Sequence, residues 1–151
     1  SGPITDQLSF AAGYAYTDAH LEEGFSGFVS GQPGARLPGV SEHTFSGSLD
    51  YVIPVGGDMD LTLHADGSYR SDFVNSVDNT AAVYREFDGF AIFGLSASLD
   101  HGPWRLSAFE ENVADEEGIS AQGDPDAVTA PYVYEWGVRP RTIGLALSLR
   151  R

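Results

Sequence analysis

The feature that most constrains this chain is a period of two, repeated six times, with bulky side chains on one face and very small ones on the other. Over residues 8–17, Leu8, Phe10, Ala12, Tyr14 and Tyr16 alternate with Ser9, Ala11, Gly13, Ala15 and Thr17. Over 42–54, Phe45, Leu49, Tyr51 and Ile53 oppose Thr44, Ser46, Ser48 and Asp50. Over 59–70, Met59, Leu61, Leu63 and Tyr69 oppose Asp60, Thr62, His64, Asp66, Ser68 and Arg70. The pattern returns over 91–99, 104–109 and 142–150, where Ile143, Leu145, Leu147 and Leu149 share a face. Successive side chains of a strand point to opposite faces, so this alternation reads as six half-apolar strands. Gly and β-formers interrupt every window that would otherwise carry a helical period, and an all-β fold follows. The fourth segment begins less cleanly, at Phe87, Phe90 and Ile92, which predicts a bulge there.

The composition of the two faces narrows the fold further. A soluble sandwich hides its apolar face and charges the other. Here the second face is mostly Ser, Gly, Ala and Thr, while Tyr14, Tyr16, Tyr51, Tyr69, Phe87 and Trp104 lie near strand ends. Aromatic girdles of that kind mark transmembrane barrels, whose strands need only about 9–11 alternating residues to cross. Periodicity alone leaves a soluble antiparallel sheet open. Loop lengths separate the two. Residues 55–58 and 100–103 are tight, Gly-containing turns, whereas 18–41, 71–86 and 112–141 are long. Strict alternation of short and long connections puts every long loop at one end. The expected fold is an antiparallel transmembrane β-barrel segment, an up-and-down meander of about six strands with short periplasmic turns and long extracellular loops. In that fold Phe10, Tyr14, Leu49, Leu61, Leu63, Phe93, Leu95, Leu145 and Leu147 form an exposed belt rather than a core.

Composition removes several alternatives. Against 22 acidic residues stand 8 basic ones, all Arg, for a net charge of −14. A field of that sign repels phosphate, so no nucleic-acid partner is expected. The absence of Cys rules out a zinc ribbon or disulfide scaffold. A hydrophobic content of 42% is too high for a disordered chain. Residues 1–20 lack a basic, then apolar, leader pattern. The apolar runs are too short for a transmembrane helix.

Chemistry-bearing motifs are sparse. G-x-S-x-G, H-E-x-x-H and phosphate-binding Gly loops are absent, and neither a cofactor nor a metal site is expected. Alternation places Asp60, His64, Asp66, Ser68 and Arg70 on one face. The expectation is a hydrated lumen wall with charges paired across strands; an Asp/His enzyme would need a further converging group. The acidic stretch 115–126 lacks the ligand spacing of a calcium loop and reads as solvated. Tyr132, Tyr134 and Trp136 crowd one long loop. Exposed aromatics are unfavourable unless they pack or bind, so with Tyr84 and Arg85 of the neighbouring loop they are the candidate ligand contacts. Folding over the barrel mouth as a packed lid is the alternative.

Ordered short motifs carry a resemblance. Leu37-Pro38-Gly39-Val40-Ser41-Glu42-His43-Thr44 opens a strand, and Tyr69-Arg70-Ser71 closes the next upstroke. Asp88-Gly89-Phe90 enters a strand, Asn112-Val113-Ala114-Asp115 leaves one, and Arg139-Pro140-Arg141-Thr142-Ile143-Gly144-Leu145 opens the last. Together they resemble the C-terminal part of the barrel of TonB-dependent outer-membrane receptors. The departures are Ser41 where the family usually has Pro, Val113 where it has Leu, and Leu147 to Arg151 where it closes on an aromatic. The resemblance implies that residues 1–151 are part of a plugged barrel of about 22 strands in the bacterial outer membrane. It also implies a small-molecule ligand of siderophore, cobalamin or oligosaccharide class. The implied partners are the rest of the barrel, its plug, the TonB energy-coupling complex and outer-membrane lipid. Six strands are too few to close, so both edges are expected to stand open in this chain alone. The alternative is an autonomous eight-stranded barrel with a structural or adhesive role, recruiting strands from 25–30 and 128–138.

Overall fold

The computed structural model describes residues 1–27, 30–123 and 134–149. Their strands, in chain order, are β1 (Gly2–Pro3), β2 (Leu8–Tyr16), β3 (His43–Gly56), β4 (Met59–Arg70), β5 (Phe73–Val74), β6 (Glu86–Phe87), β7 (Phe90–His101), β8 (Trp104–Glu111), β9 (Ile119–Gly123), β10 (Tyr134–Gly137) and β11 (Thr142–Leu149). No helix occurs among the described residues. One antiparallel sheet runs β1-β2-β3-β4-β7-β8-β11, and two small hairpins, β5-β6 and β9-β10, stand apart from it. The six strands read from the alternation are β2, β3, β4, β7, β8 and β11. The two-residue β1 adds to the outer edge of β2.

Register keeps the two faces separate across the whole wall. One row reads Leu8, Tyr51, Leu63, Ala97, Ala108, Leu145, and another reads Tyr14, Phe45, Tyr69, Ala91. Because the side-chain period is two, a one-residue slip anywhere would mix Leu with Asp. Of the nine residues expected in the belt, eight are exposed, Leu145 to 78%, and Leu61 is half-buried. Removing such a side chain from water is worth about 1.5–3 kcal/mol each. A continuous outward face of this kind is what the wall of a transmembrane barrel presents to lipid. From Met59 to Tyr69 the belt covers ten steps along β4, about 33 Å at strand rise, and about 25 Å in height once tilted as barrel strands are. That matches the apolar band of an outer-membrane barrel.

The turns sit where the loop rhythm puts them. Met59 lies opposite His101, so the 55–58 and 100–103 turns share one end, and Arg70 opposite Phe90 and Thr142 opposite Glu111 place the long loops at the other. Positive φ at Gly56 (87°), Gly57 (63°) and Asp58 (56°) closes the first turn, after a bulge between Pro54 and Gly56.

The fourth segment differs from expectation. Its register with β4 runs unbroken from Phe90 to His101, and no bulge is present. Phe87 instead belongs to β6, stacked on Phe73 with ring centroids 5.0 Å apart, so it is buried and leaves the girdle. Gly89 lets the chain cross between the two elements: a Cβ there would sit 2.6 Å from the Arg70 carbonyl oxygen. The recruited-strand alternative gains nothing from this topology. Phe25 makes only an isolated bridge to Gly31, β10 pairs with β9 and not with the wall, and residues 28, 29 and 124–133 lie outside the described residues. Strands β2 and β11 do not pair with each other, and the wall stays open.

Candidate functional site: the loop-end mouth

The only buried apolar cluster among the described residues lies not between sheets but at the loop end, where Phe73 and Val74 (each 1% exposed) pack with Phe87. Three connections meet here: loop 1 (residues 17–42), loop 2 (71–89) and loop 3 (112–141). Arg70, the last residue of β4, projects from the small polar face into them. Its guanidinium carbon lies 4.1 Å from the Phe73 ring centroid and 5.9 Å from that of Phe90, a cation–π arrangement. Its Nε donates to the Ser41 hydroxyl (2.9 Å), Nη2 to the Gly39 carbonyl (3.1 Å) and Nη1 to the Ser120 carbonyl (3.3 Å). Ser41 in turn donates to the Ser71 carbonyl at 2.7 Å.

A second knot closes the base of loop 3. Asn112 is 2% exposed and left-handed at φ 52°, a conformation that Asn tolerates better than most residues. Its amide donates to the carbonyls of Glu116 and Arg139, both at 2.9 Å, and its oxygen accepts the Glu116 N–H at 2.9 Å. Asp115, also left-handed at φ 53°, accepts the Arg141 N–H. Arg139 pairs with Glu111 (2.8 Å) and Arg141 with Glu110 (3.4 Å), so the two arginines flanking Pro140 grip the end of β8 from opposite faces. Loops 1 and 2 are joined by Arg36 to Asp72 at 2.7 Å and by the Ser30 N–H to Asp78 at 3.3 Å. The Asp72 carboxylate raises the Arg36 pKa above its ordinary value. Hydrogen bonds from the Thr80 hydroxyl and N–H hold Asp78 below the usual carboxylate range.

Of the residues expected to line the lumen wall, His64 reaches across to Asp50 of β3 and along its own strand to Asp66. His64 Nδ1 lies 2.8 Å from Asp50 and its Nε2 3.4 Å from Asp66. Asp60 sits opposite Asp100, which binds Arg105 at 2.8 Å. No group of three or more acidic or His side chains is arranged to hold a metal among the described residues. Arg70 shares their face but bonds to loops instead of to a strand neighbour.

The five candidate ligand contacts fall into two groups. Tyr84 donates its hydroxyl to Glu86 at 2.8 Å; burial first, and that carboxylate second, raise its pKa, so it stays a neutral donor. Arg85 Nη1 binds the Tyr84 and Ala82 carbonyls at 2.7 and 3.2 Å. Tyr134 and Trp136, opposite Gly123 and Ala121, share one exposed face of the β9-β10 hairpin. The reverse face carries Glu135 and Gln122, and Gln122 accepts from Asn75 of loop 2 at 2.7 Å. The aromatic pair therefore turns away from loop 2 and is not brought onto Tyr84 and Arg85. Tyr132 lies outside the described residues. Between loops 2 and 3 a cleft of about 420 Å³ is lined by Arg85, Phe87, Phe90, Glu116, Glu117 and Glu135. Ser41 and Asn112 stand in motifs that the sequence singled out, but their part as polar knots was missed, and Asn75 was missed altogether. Their signal was only a short polar residue beside a strand end.

An open antiparallel wall with an outward apolar belt, tight turns at one end and knotted loops at the other defines the fold of an outer-membrane barrel segment. Comparison with solved structures gives the same class. The ferric-catecholate import receptor Fiu of E. coli K12 matches with a TM-score of 0.75 at 17% identity, over 98% of this chain and 19% of that one. The siderophore receptor PiuA of Acinetobacter baumannii matches with a TM-score of 0.72 at 18% identity, over 98% and 20%. The chain thus spans about a fifth of the length of these receptors. The resemblance to the TonB-dependent receptor barrel read from the motifs is carried by the fold. No protein-family model matches the chain, and no curated protein does.

Proposed function

We propose that residues 1–151 are the C-terminal part of the barrel of a TonB-dependent transporter in the bacterial outer membrane, taking up a ferric siderophore and catalysing no reaction. The observation that carries this reading is the fit of 98% of the chain to the barrel of a ferric-catecholate import receptor, joined to an apolar belt that faces outward. In this reading the turn end is periplasmic and the loop end extracellular. The rest of the barrel completes both open edges, a plug fills the lumen against the Asp50, His64 and Asp66 face, and TonB energises release. Tyr134 and Trp136, with Tyr132, are the ligand contacts of loop 3, and Tyr84 and Arg85 are a separate set on loop 2, aromatic rings suiting the flat donor groups of a chelator. The acid of loop 3 weighs toward a ferric complex with little negative charge of its own.

The test is uptake of radio-iron, supplied as a catecholate or as a hydroxamate complex, by cells with and without the full receptor. Loss of uptake of one complex on deletion, restored by the intact gene and dependent on TonB, is the expected result. Uptake of both complexes unchanged by deletion overturns the siderophore reading.

A further inference from the structure

We infer that Arg70 is a positioning residue that locks loop 1 and the β9-β10 hairpin of loop 3 into one unit, and so sets the orientation of Tyr134 and Trp136. The inference rests on the proposed function only in taking that aromatic pair as ligand contacts. Arg70 is the one described residue whose side chain bonds to loop 1 and loop 3 at once. Gly39 and Ser41 receive Nη2 and Nε, while Ser120 receives Nη1. A planar, five-donor fork suits this three-way task, and a Lys ammonium does not reproduce it. The ring of Phe73 beneath the guanidinium fixes its plane from loop 2. The path to the aromatics is short. The Ser120 carbonyl accepts from Arg70, and the Ser120 hydroxyl donates to the Trp136 carbonyl at 2.7 Å. Arg70 thereby holds the hairpin by the strand that pairs with Tyr134 and Trp136. The other cations of the mouth do something different: Arg36, Arg139 and Arg141 each bind a carboxylate, and Arg85 folds back on its own loop. The direct bond between loops 2 and 3, Asn75 to Gln122, does not involve loop 1.

Hydrogen–deuterium exchange on the full receptor in detergent micelles separates these roles. In Arg70→Met, amide exchange is expected to rise about tenfold, the effect of losing one to two net hydrogen bonds, in residues 37–41 and 118–123 together. Of these two segments, Asn75→Ala should raise it only in 118–123, together with residues 83–85 of its own loop, where Asn75 also bonds the Val83 carbonyl and the Arg85 N–H. A rise in only one of the two segments of Arg70→Met, or in neither, overturns the inference. Should Arg70→Met fail to assemble, Ser41→Ala serves instead. A smaller paired rise supports the coupling, and a response confined to loop 1 overturns it. A second readout is binding of the ferric complex that the wild-type receptor takes up. Weakened binding by an assembled Arg70→Lys supports positioning, and wild-type affinity there overturns it while leaving the transport reading intact. If the wild type binds no ferric complex, the siderophore reading fails and the exchange result still decides the coupling.

Discussion

Residues at the ends of strands carry more of the specificity of this molecule than residues within them. Asn112 combines a left-handed backbone with three hydrogen bonds that close the base of loop 3. Asn112→Ala is expected to destabilise the loop base by about 3 kcal/mol, from lost hydrogen bonds and the left-handed penalty on Ala. Asn112→Gly should recover about 1 kcal/mol of that by relieving the backbone. Denaturant unfolding of the receptor in micelles measures both; equal loss in the two variants would remove the backbone contribution. Asp78 gives a pH dependence. Its carboxylate is held below the ordinary value by Thr80, so the tie to the Ser30 N–H is complete above about pH 4 and is lost as pH falls through the lowered value. Exchange of the Ser30 amide, taken relative to its intrinsic rate at each pH, should rise below about pH 4 in the wild type and be high throughout in Asp78→Ala; a wild type whose protection does not change with pH would contradict this. The sequence singled out the motif that Asn112 opens, but not the bonds that it makes. An Asn beside a strand end has the same local signal whether it caps a turn or also ties the far end of its own loop, as Asn112 does through the Arg139 carbonyl.

At the scale of elements, the strands were legible because alternation is a local signal that the register merely extends. Phe45, Leu49 and Tyr51 share a face in the sequence, and pairing with Tyr69, Ala65 and Leu63 continues it. The loops were legible in length only. Phe87 read as a girdle aromatic because its spacing ran into the next strand; Gly89 breaks that continuity, and the ring turns into the mouth. The β5-β6 pair and β9 were hidden for a related reason: strands of two to five residues are too short to show a period. Strand β10 falls inside 128–138, the stretch offered for a recruited strand, but pairs with β9 and not with the wall. The face assignment has its own consequence. Leu63→Arg, on the bulky face, should cost about 2–4 kcal/mol of barrel stability, whereas Thr62→Arg, on the small polar face, should cost far less. Equal effects in a micelle unfolding assay would contradict the assignment.

For the whole molecule, the open edges matter most. Unpaired backbone groups in hydrocarbon cost several kcal/mol each, so β11 and the free length of β2 need further strands beside them. The 151-residue chain alone in micelles is therefore expected to give no compact, heat-modifiable species on gel electrophoresis, while the full receptor does. A compact species from the chain alone would favour a closed small barrel. The central claim, that one face of this wall meets lipid and the other water, is tested most directly by a spin-label scan along β4 in the full receptor in bilayers. Labels at positions 61, 63, 65, 67 and 69 should be relaxed by oxygen, which concentrates in lipid. Labels at 60, 62, 64, 66 and 68 should respond instead to a water-soluble nickel chelate, giving a period of two. Accessibility to the polar reagent on both faces, or protection of the odd positions from both reagents, would contradict it.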